Sequence, residues 1–209
     1  MKLVIAKPSP YARKARVALI EKGIAFETEI DVPWNPGTQA PKFNPLGKIP
    51  FLVLDDGRVV HDSKVIVEYL ETLERPPRLL PRDPSARLAH KQIEATADGV
   101  CDAVVLVVLE RSRAPALRSA DWIARQLRKV EAGTRALAEE LGPRLWLVGS
   151  EFGLADIAAG CMLGYLDLRL PEMDWRSSHP NLVAFAKRIF SRPSFMATVP
   201  ETQQITEVQ

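Results

Sequence analysis

The chain has 209 residues, of which 46% are hydrophobic and 26% are charged, and its formal net charge is +2 at pH 7. This length allows one large domain or two small ones, each with a buried core. A charge balance so close to zero gives no electrostatic reason to expect nucleic acid or an anionic membrane surface as the main partner. We therefore expect no nucleic-acid partner and no membrane partner.

The N-terminal residues and the cysteines indicate an ordinary cytoplasmic protein. The apolar run near Met1 meets Pro8, so it is too short for the apolar region of a signal peptide. No stretch approaches the ~20 apolar residues that a membrane span requires. The two cysteines, Cys101 and Cys161, are far apart and do not form a disulfide framework. The sequence predicts a cytoplasmic location.

The first elements in chain order predict a strand, a helix and a second strand. Lys2–Ala6 is apolar and bounded by proline, which is typical of a buried strand. Ser9 is a good helix cap, Pro10 fits the first helical position, and Gly23 is a natural stop. Phe26–Val32 alternates apolar and charged residues, as a half-exposed strand does. This order predicts a right-handed βαβ unit.

A hairpin and a second helix come next. Phe51–Leu54 and Arg58–His61 flank Asp55-Asp56-Gly57, which is a strong hairpin signal. Asp62 or Ser63 caps the following helix. The order βαβ and then ββα is that of a thioredoxin-like domain. The apolar stripe predicted for the second helix consists of Val65, Ile66, Tyr69, Leu70 and Leu73.

A proline-rich segment separates this half from the rest. Residues 75–84 contain four prolines and cannot continue a helix, which indicates a linker. We therefore predict an α/β domain followed by an all-α domain. The expected bounds are residues 1–78 for the thioredoxin-like domain, 79–86 for the linker and 87–209 for the all-helical domain.

Two apolar segments shape the helical half. Val104–Leu109 favours a strand by local propensity, but its flanks form helices and carry no turn signals, so we predict a buried helix. Leu154–Leu168 is apolar nearly all round, which indicates a central core helix. Asp156 lies three residues into that helix, where its carboxylate can accept from a free backbone N–H. We interpret Asp156 as a residue that stabilises the start of this helix and takes no part in a reaction.

Three short motifs could carry chemistry. Ser9-Pro10-Tyr11-Ala12 opens the first helix, whose free N–H groups and partial positive charge favour an anion such as a thiolate. Redox thioredoxin-fold proteins carry two cysteines here, so serine and alanine exclude dithiol chemistry. Asn44–Leu52 includes Pro50 just before a strand, and His61–Ile66 offers a carboxylate, a hydroxyl and free N–H groups. Each motif taken alone is more often a cap or a loop.

Together the motifs resemble the glutathione transferase family. Ser-Pro-Tyr-x-Arg-Lys-x-Arg is followed by Asn-Pro-x-Gly-Lys-Ile-Pro and then by Asp-Ser at a helix start. Gly153–Ala158 resembles that family's core-helix motif, and the resemblance spans roughly residues 1–195. Within that family the chain resembles small bacterial members of the YibF type. The implied fold is the glutathione transferase fold, a thioredoxin-like domain followed by an all-helical domain.

The resemblance implies a role for each matching position. Ser9 matches the residue beside the glutathione sulfur. Ile49 matches the residue whose main chain pairs with the cysteinyl part, and Pro50 matches the family's cis-proline. Asp62 and Ser63 match the pair that holds the γ-glutamyl end. All three motifs would therefore converge on one tripeptide.

Four further positions are candidates for the glutathione site, the electrophile site or a contact between subunits. Lys48 lies where a side chain can meet the glycyl end of glutathione. Tyr11 and Trp34 would either wall the electrophile site or simply pack. Family resemblance implies a homodimer, to which part of the apolar run at Val104–Leu109 would contribute, and Asp98 could reach the neighbouring subunit's glutathione.

The basic residues Arg13, Lys14 and Arg16 lie on the first helix. They would either attract anionic glutathione or form solvated ion pairs, and the second is the commoner case.

The implied function is that of a glutathione S-transferase, an enzyme that adds the thiolate of glutathione to small electrophiles. Ser9 would donate a hydrogen bond to the thiolate, and no metal is expected. Related members carry cysteine at position 9, so serine argues against thiol transfer. The alternative is a glutathione-binding scaffold or regulatory protein of the same fold with little or no turnover.

Overall fold

The computed structural model describes residues 1–203, with four strands and eight α-helices among them. Short 3₁₀ turns occupy Ala40–Lys42 and Pro115–Leu117. The strands are β1 (Lys2–Ile5), β2 (Glu27–Ile30), β3 (Phe51–Val53) and β4 (Val59–His61). The helices are α1 (Pro10–Glu21), α2 (Ser63–Thr72), α3 (Pro84–Ser112), α4 (Ala120–Leu141), α5 (Leu154–Arg169), α6 (Trp175–Ser178), α7 (Pro180–Phe190) and α8 (Pro193–Met196).

The chain divides into two compact units. The first comprises Met1–Leu79 together with the segment that begins at Pro193, and the second comprises Leu80–Arg192. The expected bounds differ at two places. The segment from Pro193 packs with the first unit instead of the helical one, because α8 lies against α1. The predicted linker also overlaps α3, since Asp83 caps that helix by accepting from the Ala86 N–H at 2.8 Å.

The four strands form one mixed sheet in the order β2-β1-β3-β4. β1 is parallel to β2 and antiparallel to β3, and β3 is antiparallel to β4. The register pairs Val4 with Phe51, and Phe51 with His61. The carboxyl ends of β1, β2 and β4 therefore lie at the same edge of the sheet as the beginning of β3. The predicted thioredoxin-like order is confirmed.

Burial in the first unit follows the position of each element. The central strands are covered, and Leu3 and Leu52 have no exposed surface. β2 is an edge strand whose four residues are all exposed, so the expected half-burial of this strand is wrong. On α2, the buried face includes Ile66 and Leu70 as predicted. It contains Val67 instead of Val65 and Leu73, which are exposed.

The second unit is a helical bundle in which α3 packs against both α4 and α5. The buried-helix prediction for Val104–Leu109 is confirmed, because this segment lies within α3 and Val104 and Val107 have no exposed surface. α5 is buried along most of its length, as predicted for Leu154–Leu168. Of the helices described, none is long and apolar enough to cross a membrane.

Gly133 allows α3 and α4 to approach closely, and its replacement by alanine is expected to destabilise the second unit. A Cβ atom there would lie 2.3 Å from the Val100 Cγ2 atom, so that either the Val100 side chain or one of the two helices must shift. Overpacking of this kind costs about 1–3 kcal/mol. The measurement is the free energy of unfolding in urea.

Gly99→Ala is the matched control, because Gly99 lies on α3 and a Cβ there meets nothing within 4 Å. Helix propensity predicts that this change stabilises the protein by about 0.5–1 kcal/mol. Equal effects of the two substitutions would contradict the proposed close approach of α3 and α4.

Candidate functional site

The strand register brings the three sequence motifs to one edge of the sheet. Ser9 follows the carboxyl end of β1, Ile49 and Pro50 precede β3, and Asp62 and Ser63 follow the carboxyl end of β4. Both α1 and α2 begin at this edge, so two helix N-termini with their partial positive charges lie there. This arrangement favours a ligand with negatively charged groups.

Ser9 caps α1, as predicted. Its Oγ accepts the Ala12 N–H at 3.1 Å, and its carbonyl accepts the Arg13 N–H at 3.0 Å. Its own N–H donates to the Ala6 carbonyl at 3.1 Å and closes the turn between β1 and α1. The hydroxyl proton has no acceptor among residues 1–203. The Ser9 hydroxyl can therefore cap the helix and donate to a ligand at the same time.

The loop before β3 is organised by Asn44, for which the sequence did not indicate a role. Its buried side chain donates from Nδ2 to the Lys48 carbonyl at 2.9 Å and accepts the Leu46 N–H at 3.0 Å. The peptide bond between Ile49 and Pro50 is cis. Within the described part of the chain, neither backbone group of Ile49 has a hydrogen-bond partner. The Ile49 backbone is thus available to pair with an extended peptide.

The start of α2 combines a carboxylate and a hydroxyl. Asp62 is the N-cap and accepts the Lys64 N–H at 2.8 Å. The Ser63 Oγ donates to Asp62 Oδ1 at 3.3 Å, and Ser63 is buried. The predicted cap is confirmed. Because the Asp62 side chain is exposed, its carboxylate could also accept from the ammonium of a ligand.

Three further candidates lie on segments next to this edge. Trp34 is partly exposed in the loop after β2, and this loop is held by the Thr38 hydroxyl, which donates to Asp31 Oδ2 at 3.0 Å. Tyr11 is half-buried on the first turn of α1, and Lys48 is exposed just before Ile49. The placement of Tyr11 and Trp34 is compatible with both interpretations given for them, and the roles of all three residues remain predictions.

Two basic residues of α1 are placed differently from the expectation, and Asp98 belongs to the other unit. Arg13 and Lys14 are 5% and 1% exposed, so their interpretation as solvated residues is wrong. The Arg13 guanidinium packs over the Phe195 ring at 4.9 Å. Asp98 lies on α3 in the second unit and is 7% exposed. Its proposed contact with a neighbouring subunit stays a prediction.

The histidines His61 and His90 lie in different units. His61 is partly buried at the end of β4. His90 Nδ1 accepts the Ala155 N–H at 3.1 Å, and burial lowers the pKa of His90. Over residues 1–203, no group of three or more His, Cys, Asp and Glu side chains is arranged to hold a metal ion.

Comparisons with known proteins agree with this architecture. Residues 8–73 match the model of the glutathione S-transferase N-terminal domain, and residues 120–188 match that of the C-terminal domain. The uncharacterized GST-like protein YibF of Escherichia coli K12 is 40% identical over 200 residues, which are 96% of this chain and 98% of that protein.

Two solved bacterial structures are similar over nearly their whole length. A glutathione S-transferase from Methylobacterium radiotolerans, in complex with glutathione sulfonate, is 51% identical with a TM-score of 0.95, and the match covers 99% of this chain and 97% of that one. A glutathione S-transferase from Methylobacillus flagellatus with glutathione bound is 44% identical with a TM-score of 0.92, covering 96% and 99%. With both domain models matched in order and relatives this similar along nearly the whole chain, the protein belongs to the glutathione S-transferase family.

Proposed function

We propose that this protein is a cytoplasmic glutathione transferase that binds glutathione at the sheet edge beside Ser9 and conjugates its thiolate to small electrophiles. The observation that carries the proposal is the geometry of Ser9. Its oxygen already accepts from the helix, while its proton is left to donate toward the space at the start of α1. A thiolate placed there would receive both the hydroxyl hydrogen bond and the field of the helix.

The energies are sufficient for this role. A free thiol titrates near pH ~8.5, and lowering its pKa to ~6.5 requires ~2.7 kcal/mol of selective thiolate stabilisation. A hydrogen bond to an anion contributes ~1.5–3 kcal/mol. The helix N-terminus adds ~0.3–1 kcal/mol. Ser9 then acts as a donor to the nucleophile, and glutathione itself attacks the electrophile.

The other residues at the edge suit the remaining parts of the tripeptide. The Ile49 backbone, next to the cis Pro50, would pair with the cysteinyl main chain. Asp62 would accept from the γ-glutamyl ammonium, while Ser63 and the helix N–H groups would meet its carboxylate. Lys48 would meet the glycyl carboxylate.

The electrophile would bind next to the sulfur of glutathione, where Tyr11 and Trp34 would face it. No metal takes part in this scheme.

We also propose a homodimer. Exposed apolar side chains support it in each unit, including Leu46 and Phe43 in the first and Leu106 in the second. A second subunit would cover such side chains where they form a continuous apolar patch. Light scattering at micromolar concentration should give twice the 23.2 kDa mass of the chain. In such a dimer, Asp98→Asn would test by calorimetry of glutathione binding whether Asp98 reaches the glutathione of the neighbouring subunit.

Replacement of Ser9 by alanine is expected to raise the pKa of the bound glutathione thiol by about 1–2 units, because the lost hydrogen bond stabilises only the thiolate. The measurement combines calorimetry of glutathione binding with the thiolate absorbance of the complex as a function of pH. Ser119→Ala is the matched control, since the Ser119 Oγ caps α4 by accepting the Trp122 N–H at 3.2 Å. It should lose the same kind of cap without moving the thiol pKa.

The outcomes separate the two functions in the family. Absence of glutathione binding at millimolar concentration would end both the enzyme and the scaffold proposals. Binding without a measurable rate on any of a panel of electrophiles would replace the enzyme by a glutathione-binding scaffold. An unchanged thiol pKa in Ser9→Ala would remove the role assigned to Ser9.

A further inference from the structure

The segment from Pro193 to Gln203, which we term the C-terminal strap, runs along α1 in the direction opposite to that helix. Its first contact is at the end of α1, where the Ser194 hydroxyl donates to Glu21. Its last contacts are with Lys7, ahead of the helix. Between them, the side chains of Arg16 and Arg13 donate to the carbonyls of Ala197 and Phe195 at 3.1 and 3.2 Å.

The strap lies on the face of α1 that begins with Ser9. Arg13 and Arg16 follow Ser9 by four and seven residues, and residues at these spacings share one face of a helix. Contacts at the middle of the strap are buried, since Phe195 and Thr198 have almost no exposed surface. The middle of the strap is therefore packed into the first unit.

The end of the strap holds the turn that places Ser9. Gln203 Oε1 accepts the backbone N–H of Lys7 at 2.9 Å, and Glu201 pairs with the Lys7 ammonium at 2.7 Å. Lys7 lies inside the turn that the Ser9 N–H closes on the Ala6 carbonyl. The strap thus contacts the turn between β1 and α1 at Lys7, two residues before Ser9.

We propose that Gln203 is a positioning residue for Ser9, and that the C-terminal strap thereby supports the glutathione site. The proposal rests on the function assigned to Ser9 above. A hydrogen bond to a thiolate depends on the donor staying within a few tenths of an ångström of its place, which requires support from the surrounding residues. Gln203 supplies that support through the backbone of Lys7, whereas the ion pair of Glu201 with the Lys7 side chain is exposed and adds little.

Gln203→Leu is the test variant, because leucine keeps the approximate size of the side chain and removes the oxygen that accepts from Lys7. The pKa of the bound glutathione thiol is expected to rise by about 0.3–1 unit, which is a twofold to tenfold weaker selection of the thiolate. Affinity for glutathione at pH 5, where the thiol is protonated, should stay within twofold of the wild type. Hydrogen exchange of the Lys7 amide should become at least threefold faster.

Thr202→Ala is the matched control, since Thr202 is exposed between Glu201 and Gln203 and has no hydrogen bond among the described residues. It should change neither the thiol pKa nor the exchange of Lys7. If Gln203→Leu leaves the thiol pKa unchanged while the Lys7 amide exchanges faster, the contact exists but does not position Ser9, and the proposal is overturned. An unchanged exchange rate would also overturn it, because Gln203 would then not hold the turn.

The wild-type protein separates this inference from the proposed function. If it binds glutathione and Ser9→Ala raises the thiol pKa, the function stands whatever Gln203→Leu does. If wild type binds no glutathione, the function fails, and the inference about the strap fails with it.

Discussion

Replacement of Lys22 by methionine is expected to destabilise the first unit by about 3 kcal/mol, because it leaves the buried Glu71 carboxylate with only the more distant Arg78 guanidinium, which lies 3.7 Å from Glu71 Oε2. The Lys22 side chain is fully buried at the C-terminal end of α1, and its Nζ donates to Glu71 Oε1 at 2.9 Å. The same ammonium donates to the carbonyls of Arg75 and Pro77 at 2.7 and 3.0 Å. One side chain therefore satisfies three acceptors and ties the end of α1 to the segment after α2.

Lys2→Met is the matched control for this change. Lys2 makes an ion pair of 2.6 Å with Glu29, but both side chains are about half exposed. Pairs of this kind contribute about 0–1 kcal/mol, so the control should lose no more than that in urea unfolding. A loss below about 1 kcal/mol in Lys22→Met would show that the ammonium is not needed where the structure places it.

The double variant Lys22→Met and Glu71→Leu tests the pairing itself. It should be less destabilised than the sum of the two single variants, because the two fully buried charges of Lys22 and Glu71 are then removed together, and Arg78, which loses its partner, is partly exposed. Full recovery is not expected, since Glu71 Oε1 also accepts the Leu79 N–H at 3.1 Å and that donor would be left without its partner.

The caps and the strand order were predictable because their signals are local. Ser9 before Pro10, and Asp62 before Ser63, carry the chemistry of a helix start within two residues of sequence. The Asp-Asp-Gly turn likewise fixes the β3–β4 hairpin. The meeting of the three motifs at one edge required the register of the sheet, which these turns and the βαβ order determine.

Residues that act over long distances in sequence could not be predicted in this way. Lys22 looks like an ordinary solvated lysine at a helix end, and its partner Glu71 lies 49 residues away. Arg13 is buried because Phe195, which is 182 residues later, covers it. The strap is short and has no strong periodicity, so nothing in its sequence shows which unit it packs against. Asn44 is an intermediate case. An asparagine before a proline indicates a turn, but it does not show that the side chain donates to the Lys48 carbonyl.

Replacement of Asp156 by alanine is the second large effect that we expect, about 3 kcal/mol at pH 7.5. Asp156 has no exposed surface, and its two oxygens accept the N–H groups of Leu147 and Gly153, each at 2.9 Å. Alanine would leave both buried donors without a partner, at about 1–3 kcal/mol each. Asp83→Ala is the matched control, because this exposed cap of α3 accepts a single N–H and should cost about 1 kcal/mol.

The cost of Asp156→Ala should also depend on pH. Burial raises the pKa of Asp156 to about 6 in the folded protein, above its ordinary value of 3.8, so the folded state holds this proton more tightly than the unfolded chain. The part of its stabilisation that comes from this tighter proton binding is therefore full below pH 3.8 and is lost as the pH rises through 6, whereas the hydrogen bonds from Leu147 and Gly153 still contribute above pH 6. Urea unfolding at pH 4.5 should show a cost about 2 kcal/mol larger than at pH 7.5. A larger cost at pH 7.5 would mean that the Leu147 and Gly153 hydrogen bonds to the carboxylate outweigh its burial.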